Sequence, residues 1–309
     1  MKKIAWLLLF SVVWICGDRM ISNLLSQLVF LSQTKFSLLY KGGQHHRIVL
    51  MGNSRGDASL SPLDIEKKTG ISTFQLSHKG LSTELIRVLW LDYIERNDPP
   101  EMLVMELTNL TTGHYLLNDL KTFGYWSPRI NSLLEKYNYS GYIATRISKL
   151  FHFNSEILLR SLGFLGHSDQ GKIENNIRQI DETLARDLLR RDIERRDIRP
   201  ENLKALSVIV RTARKFHCRV CLYYPPYYLN YFRDHEKQRD ELLAQVRGVV
   251  GEYAAVRDYS AAITDKNAFE DLSHLNYGGA KIFLEILLKD HILSPGPKFA
   301  YGSIAAHYH

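Results

Sequence analysis

Ser54, together with the pair Asp271 and His274, supplies the residue types and spacing from which a reaction can be built. A serine hydroxyl attacks a carbonyl only when a neighbouring base removes its proton, and an imidazole oriented by a carboxylate is such a base. In Asp271-Leu272-Ser273-His274 the acid and the imidazole stand three residues apart. That is close enough for Asp271 to accept from one ring nitrogen while the other faces the serine. Ser54 lies in Gly52-Asn53-Ser54-Arg55, directly after the apolar run Ile48-Val49-Leu50-Met51. Such an order reads as a buried strand ending in a tight turn, which lifts a hydroxyl clear of a sheet edge. Both stretches also have plainer readings, as a turn closing a strand and as a turn-forming aspartate beside a partly exposed histidine.

Taken together, a serine after the first strand and an Asp-x-x-His near the C-terminal end resemble the SGNH (GDSL-type) hydrolase superfamily. Asn53 departs from the usual Gly-Asp-Ser block. Gly-Asn-Ser followed by Arg55 is more similar to the extracytoplasmic branch that includes alginate O-acetyltransferases and the teichoic-acid D-alanylation protein. The resemblance implies a catalytic triad of Ser54, His274 and Asp271. It also implies an oxyanion hole made by the backbone amides of Ser54 and Gly80 and the side-chain amide of Asn109. Here too the chain departs from pattern, because Glu106-Leu107-Thr108-Asn109-Leu110 lacks the glycine and aspartate that usually flank that asparagine. Asn109 therefore also reads as a turn residue. Arg55 can bind an acidic sugar or pair with Asp57, and Tyr224, in Tyr223-Tyr224-Pro225-Pro226-Tyr227-Tyr228, can stack on a sugar ring or simply pack the rim.

Composition bounds what surrounds these residues. With 309 residues, 45% of them hydrophobic, the chain can bury a large core and is not of a disordered class. Lys2 and Lys3 precede an apolar stretch over residues 4–16, interrupted by Gly17-Asp18-Arg19 and continued by Met20, Ile21, Leu24 and Leu25. Without a small-residue cleavage site, this suits an uncleaved signal anchor, with the lysines cytoplasmic and the rest outside the inner membrane. The competing reading is an apolar helix packed on a cytoplasmic core. Cys218 and Cys221 fall three apart in a strand-like run, so they point to opposite faces and suit neither a metal nor a redox pair. Twelve histidines show no metal spacing, and no phosphate-binding glycine loop occurs, so no cofactor or metal is expected. A net charge of +7 leaves room for anionic lipid or an acidic polysaccharide, whereas nucleic acid does not suit an exported chain.

Five segments rich in branched and aromatic residues predict strands, at 47–51, 71–76, 102–107, 218–224 and 253–257, with helical patterns such as 83–94 between several of them. Alternation of this kind predicts a three-layer α/β/α sandwich with a central parallel sheet. Ser54, Gly80 and Asn109 then follow the first three strands and arrive at the same, carboxyl-end edge. Residues 1–35 read as the anchor and membrane-proximal helix, 36–295 as the catalytic domain and 296–309 as a loose tail. Within the domain, 110–199 reads as a helical insertion able to roof the cleft and select an acceptor. The alternating charges of 186–199 read as a solvated helix face. Three functions fit: a membrane-anchored O-acyltransferase acting on an exported polysaccharide, an esterase of the same fold, or a catalytically degenerate glycan-binding module. For the first, the resemblance implies a multi-span acyl-donor membrane protein as partner.

Overall fold

A computed structural model describes residues 2–170, 176–181, 183, 197–228 and 235–293. The chain opens with α1 (Lys2–Leu31) and α2 (Lys35–Lys41), then enters the sheet at β1 (Ile48–Met51). There follow α3 (Ser54–Ser59), α4 (Pro62–Thr69), β2 (Thr73–Gln75), α5 (Thr83–Arg96) and β3 (Met102–Glu106). Between β3 and the next strand the described chain is helical, with α6 (Leu117–Leu120), α7 (Pro128–Tyr137), α8 (Tyr139–Ile147), a 3-10 turn at Lys149–Phe153, α9 (Glu156–Gly163) and α10 (Pro200–Lys215). It closes with β4 (Arg219–Tyr224), α11 (Glu236–Val250), β5 (Ala255–Asp258) and α12 (Tyr277–Lys289).

All five strands are parallel, in the order β2-β1-β3-β4-β5. The near-continuous apolar sequences of β1, β3 and most of β4 are what burial on both faces demands, whereas the edge strand β5, Ala255-Val256-Arg257-Asp258, is largely exposed. Side-chain alternation divides them cleanly. Val49, Met51, Leu103 and Met105 face one core with Phe36, Tyr40, Trp90, Leu206 and Val246. Ile48, Leu50, Met102 and Val104 face the other with Ile65, Phe283, Leu284 and Leu287. The fold is thus a three-layer α/β/α sandwich. Cys218 and Cys221 fall in opposite cores, as strand alternation requires, and both thiols are free. Burial pushes them up to about 12 and about 11 respectively, so neither is a ready nucleophile.

Strand order reverses between β1 and β3, and the crevice above the carboxyl ends at such a switch point is where ligands bind in open parallel sheets. Ser54 follows β1 directly, and the residues after β3 form its opposite wall. Opposite them, the loop bearing Asp271 and His274 is tied to the start of α12. Asn276 caps that helix by accepting from Gly279 N, and its amide donates to the carbonyl of Asn267 at 2.7 Å. Gly279 lets α12 approach so closely that a Cβ there would meet the carbonyl oxygen of Ala268 at 2.0 Å. Gly279→Ala should therefore cost about 3 kcal/mol through overpacking against backbone. Urea unfolding would register this as a lower midpoint with unchanged slope. The charged stretch 186–199 and the tail 296–309 lie largely or wholly outside the described residues.

Candidate active site

His274 Nε2 lies 2.8 Å from Ser54 Oγ, across 220 positions of sequence. Its Nδ1 stands 2.8 Å from Asp271 Oδ2 and 3.0 Å from Oδ1. Only a ring N–H can serve a carboxylate, so Nδ1 donates to Asp271 and Nε2 is left to accept from the serine hydroxyl. Asp271 also accepts from the backbone N–H groups of Ser273 and His274, at 2.7 and 2.8 Å. Burial pushes its carboxyl up, but hydrogen bonding and charge from His274, helped by those two amides, hold it down at about 2. A carboxylate so fixed keeps the imidazole in one tautomer and faces the positive charge that develops when Nε2 takes a proton.

That depression has a stability consequence with a definite sign. An acid with a lowered folded pKa contributes stability above its unfolded value, near ~4, and loses it as pH falls through the folded value. Asp271→Asn should therefore be less stable than the parent protein near neutrality. The gap should close between about pH 4 and about pH 2, as unfolding measured across that range would reveal.

Below the serine sits a buried polar network that the sequence did not announce. Asn53 caps α3 by accepting from Arg55 N at 2.9 Å, while its Nδ2 donates to Thr108 Oγ1 at 3.0 Å. An aspartate in that position could keep the second bond only by accepting from the threonine hydroxyl. Glu106, fully buried at the end of β3, accepts from the backbone N–H groups of Thr108 and Asn53. Burial pushes the Glu106 carboxyl up, and the bonds from Thr108 and Asn53 and the nearby Arg55 only partly offset this. Gly52 and Gly56 make room for it, since a Cβ on Gly52 would lie 2.8 Å from Glu106 Cβ. A single charged residue ending the otherwise apolar Met102-Leu103-Val104-Met105 was the one available sequence signal.

The remaining predicted residues are distributed unevenly. Gly80 sits in the loop after β2 with φ of 81°, a left-handed turn that favours glycine, and its neighbour Lys79 lines the cleft. Asn109 is wholly buried, its Nδ2 donating to the carbonyl of Glu106 and its Oδ1 accepting from Thr83 Oγ1. The amide keeps a second proton, but Asn109 does not line the cleft, so the side chain would have to move to reach an oxyanion. Arg55 lies over the ring of Tyr227 at 4.5 Å, and Tyr224 is stacked on Tyr227 within the core rather than lining the cleft.

The cleft over Ser54 encloses about 400 Å³. Its walls bring in Lys35, Asp57, Arg160 and Asp169, from four distant segments that no sequence pattern links. Lys35 Nζ donates to Asp57 Oδ1 at 2.6 Å and to the carbonyl of Ser77 at 2.7 Å. Arg160 donates to Asp169 Oδ2 at 3.1 Å, and Asp169 Oδ1 accepts from Lys35 N. Lys35 and Arg160 are thus neutralised by carboxylates, and with Lys79 and Glu270 also lining it the pocket is polar and of mixed charge, able to hydrogen-bond a hydroxyl-rich ligand. Among the described residues, no group of three or more acidic, histidine or cysteine side chains is placed to hold a metal.

Neither a family model nor a curated protein matches this chain. Solved structures do. A catalytic mutant of an acetylxylan esterase from Geobacillus stearothermophilus aligns at 12% identity over 82% of this chain and 99% of its own, with a TM-score of 0.42. A second mutant from that organism, of an acetyl-xylooligosaccharide esterase, aligns at 12% identity over 85% and 100%, with a TM-score of 0.41. A Bacteroides fragilis protein named only provisionally as an acylhydrolase aligns at 11% over 80% and 86%, with a TM-score of 0.39.

Proposed function

We propose that this chain is a membrane-anchored, extracytoplasmic O-acyltransferase that moves an acetyl or similar acyl group onto a hydroxyl of a cell-surface or exported polysaccharide. The observation that carries the reading is the 2.8 Å contact between Ser54 Oγ and His274 Nε2, with Asp271 hydrogen-bonded behind the ring. As Ser54 Oγ attacks the acyl carbonyl, Nε2 takes its proton, and the donor's leaving oxygen departs with that proton. An acceptor hydroxyl then gives its proton to Nε2 as it attacks the ester on Ser54, and the serine is regenerated. The backbone amides of Ser54 and Gly80 are the candidate donors to the oxyanion, and Asn109 joins them only if its buried side chain moves toward the cleft. Arg55 borders the serine as a candidate substrate contact, and Tyr224 would contribute indirectly, through Tyr227.

Location rests on α1, whose 30 residues have a mean hydropathy of 1.7 in their most apolar window and are long enough to cross a bilayer. Lys2 and Lys3 at its start favour a cytoplasmic N-terminus and a catalytic body on the other side. A multi-span acyl-donor protein and a glycan acceptor are the partners this reading requires.

An esterase reading is kept because the catalytic pair is partly open, with 26% of the His274 side chain and 38% of the Asp271 side chain exposed. Water can therefore compete for the ester. Transfer wins only if the acceptor is held at high effective concentration. Purified protein given para-nitrophenyl acetate and increasing oligosaccharide should divert acetyl from water to sugar. Arg160→Ala, which alters a cleft wall supplied by the segment between β3 and β4, should lower the transferred fraction more than it lowers donor cleavage. Hydrolysis alone with every acceptor would favour the esterase, and glycan binding without turnover would favour a non-catalytic module.

A further inference from the structure

Helix α1 is built inside out. Over its C-terminal half the buried residues are Asp18, Ser22, Ser26 and Val29, whereas Met20, Ile21, Leu24 and Leu31 are exposed together with Asn23 and Gln27. In a helix on a water-facing surface the apolar side is the one that packs. Here Asp18 is only 8% exposed, and its carboxylate accepts from Ser148 Oγ and from the backbone N–H groups of Lys149 and Leu150, at 2.9 and 3.1 Å for the two amides. Arg19 lies 3.4 Å from the same carboxylate. The one strongly polar interruption of the helix is thus taken up by the protein rather than presented outward.

Length makes the arrangement meaningful. The uninterrupted apolar run over residues 4–16 rises only about 20 Å, while a hydrocarbon core of about 30 Å needs about 20 residues. A crossing helix must therefore carry the bilayer down past Asp18, to the level of about Leu24. Beside that level stand Ile147, 63% exposed and adjacent to the Ser148 that Asp18 holds, with Ile143 and Tyr139 on the same face of α8 at four-residue spacing. Leu159, 70% exposed, is a further large apolar side chain on α9, a second insertion helix that packs on α1.

Resting on the anchored reading above, we infer that the insertion helices α8 and α9 are themselves seated in the outer face of the bilayer, so that α1 is a rigid mount and not a tether. The occupant of the α8 patch of Tyr139, Ile143 and Ile147, and of the surface at Leu159 on α9, is lipid. The next residue of α9, Arg160, lines the cleft, and so does Lys35, four residues beyond α1. Seating the patch therefore holds the mouth of the site at the membrane surface, where a membrane-bound donor or a lipid-linked acceptor would be presented.

The test uses the full chain with Cys16→Ser, whose two remaining thiols are buried, reconstituted alone in phosphatidylethanolamine and phosphatidylglycerol vesicles. An environment-sensitive fluorophore is attached in turn through Leu9→Cys, Leu24→Cys, Ile147→Cys, Leu159→Cys and, as a control on α12, Ile282→Cys, all exposed positions. Expected are blue-shifted emission and loss of signal with spin-labelled lipid at the first four, and neither at the control. Quenching at Leu9→Cys but at neither Ile147→Cys nor Leu159→Cys would leave the anchor standing and overturn the rigid mount. That same result is the one expected if a protein partner, absent from these vesicles, covers the patch. No quenching at Leu9→Cys would reject the anchor itself, and the mount with it.

Discussion

Ser54→Ala and His274→Ala should each leave a folded protein whose turnover of an activated acetyl ester falls by about 10⁴-fold or more, and Asp271→Asn should lose about 10⁴-fold. The magnitudes follow from the geometry. Without Ser54 Oγ there is no covalent step, and without His274 Nε2 at 2.8 Å the hydroxyl keeps its proton. An asparagine at Asp271 has a neutral carbonyl or an amide to offer Nδ1, so it neither stabilises the imidazolium nor enforces the tautomer that leaves Nε2 free to accept. Because the three act as a unit, double variants should lose little beyond the worse single one. Steady-state kinetics beside thermal unfolding checks this. Ser54→Ala should unfold close to the parent protein, and Asp271→Asn and His274→Ala should each carry a modest stability loss, because the lowered carboxyl of Asp271 depends chiefly on His274.

Gly52→Ala should cost about 100-fold in kcat with little change in KM, the loss expected when reacting atoms are misplaced by about 1 Å. The added methyl would lie 2.8 Å from Glu106 Cβ and within 3.1 Å of Gly56 Cα, both parts of a rigid floor. Relief is available only by lifting the Gly52 to Ser54 turn, which swings Oγ away from His274. Asn109→Ala makes the informative contrast. As a strut between Thr83 and Glu106, its loss should appear as about 1–3 kcal/mol of stability. As an oxyanion donor, it would instead lower kcat by about 100- to 1000-fold in a protein of unchanged stability.

What was legible in the sequence follows from range. The central strands β1, β3 and β4 are short apolar runs buried on both faces, so local composition marks them; the exposed edge strand β5 carries a weaker signal, and each strand ends within a few residues of its expected bounds. The order Ser54, Asp271, His274 was readable because the serine and the Asp-x-x-His each sit in a local motif with its own geometry. Lys35, Asp57, Arg160 and Asp169 were not readable, since they meet only through the packing of α1 on α2 and α9 and through the bonds of Gln170 to Gln75 on the edge strand β2. Glu106 and Asn53 were visible as residues but not as partners. Their pairing depends on the parallel register of β1 with β3, which places Met51 opposite Met105 and so brings the two following turns together. The inverted face of α1 was equally hidden. Apolar composition marked the helix, but only tertiary contacts show that Asp18, Ser22 and Ser26 turn inward.

The account stands most directly on the ester at Ser54. Full-length protein mixed with para-nitrophenyl acetate, stopped in acid within the first turnover and measured by intact and peptide mass spectrometry, should carry one acetyl group, on the peptide containing Ser54. Ser54→Ala should carry none and turn over none. An acetyl group on another residue, or undiminished turnover by Ser54→Ala, would contradict it.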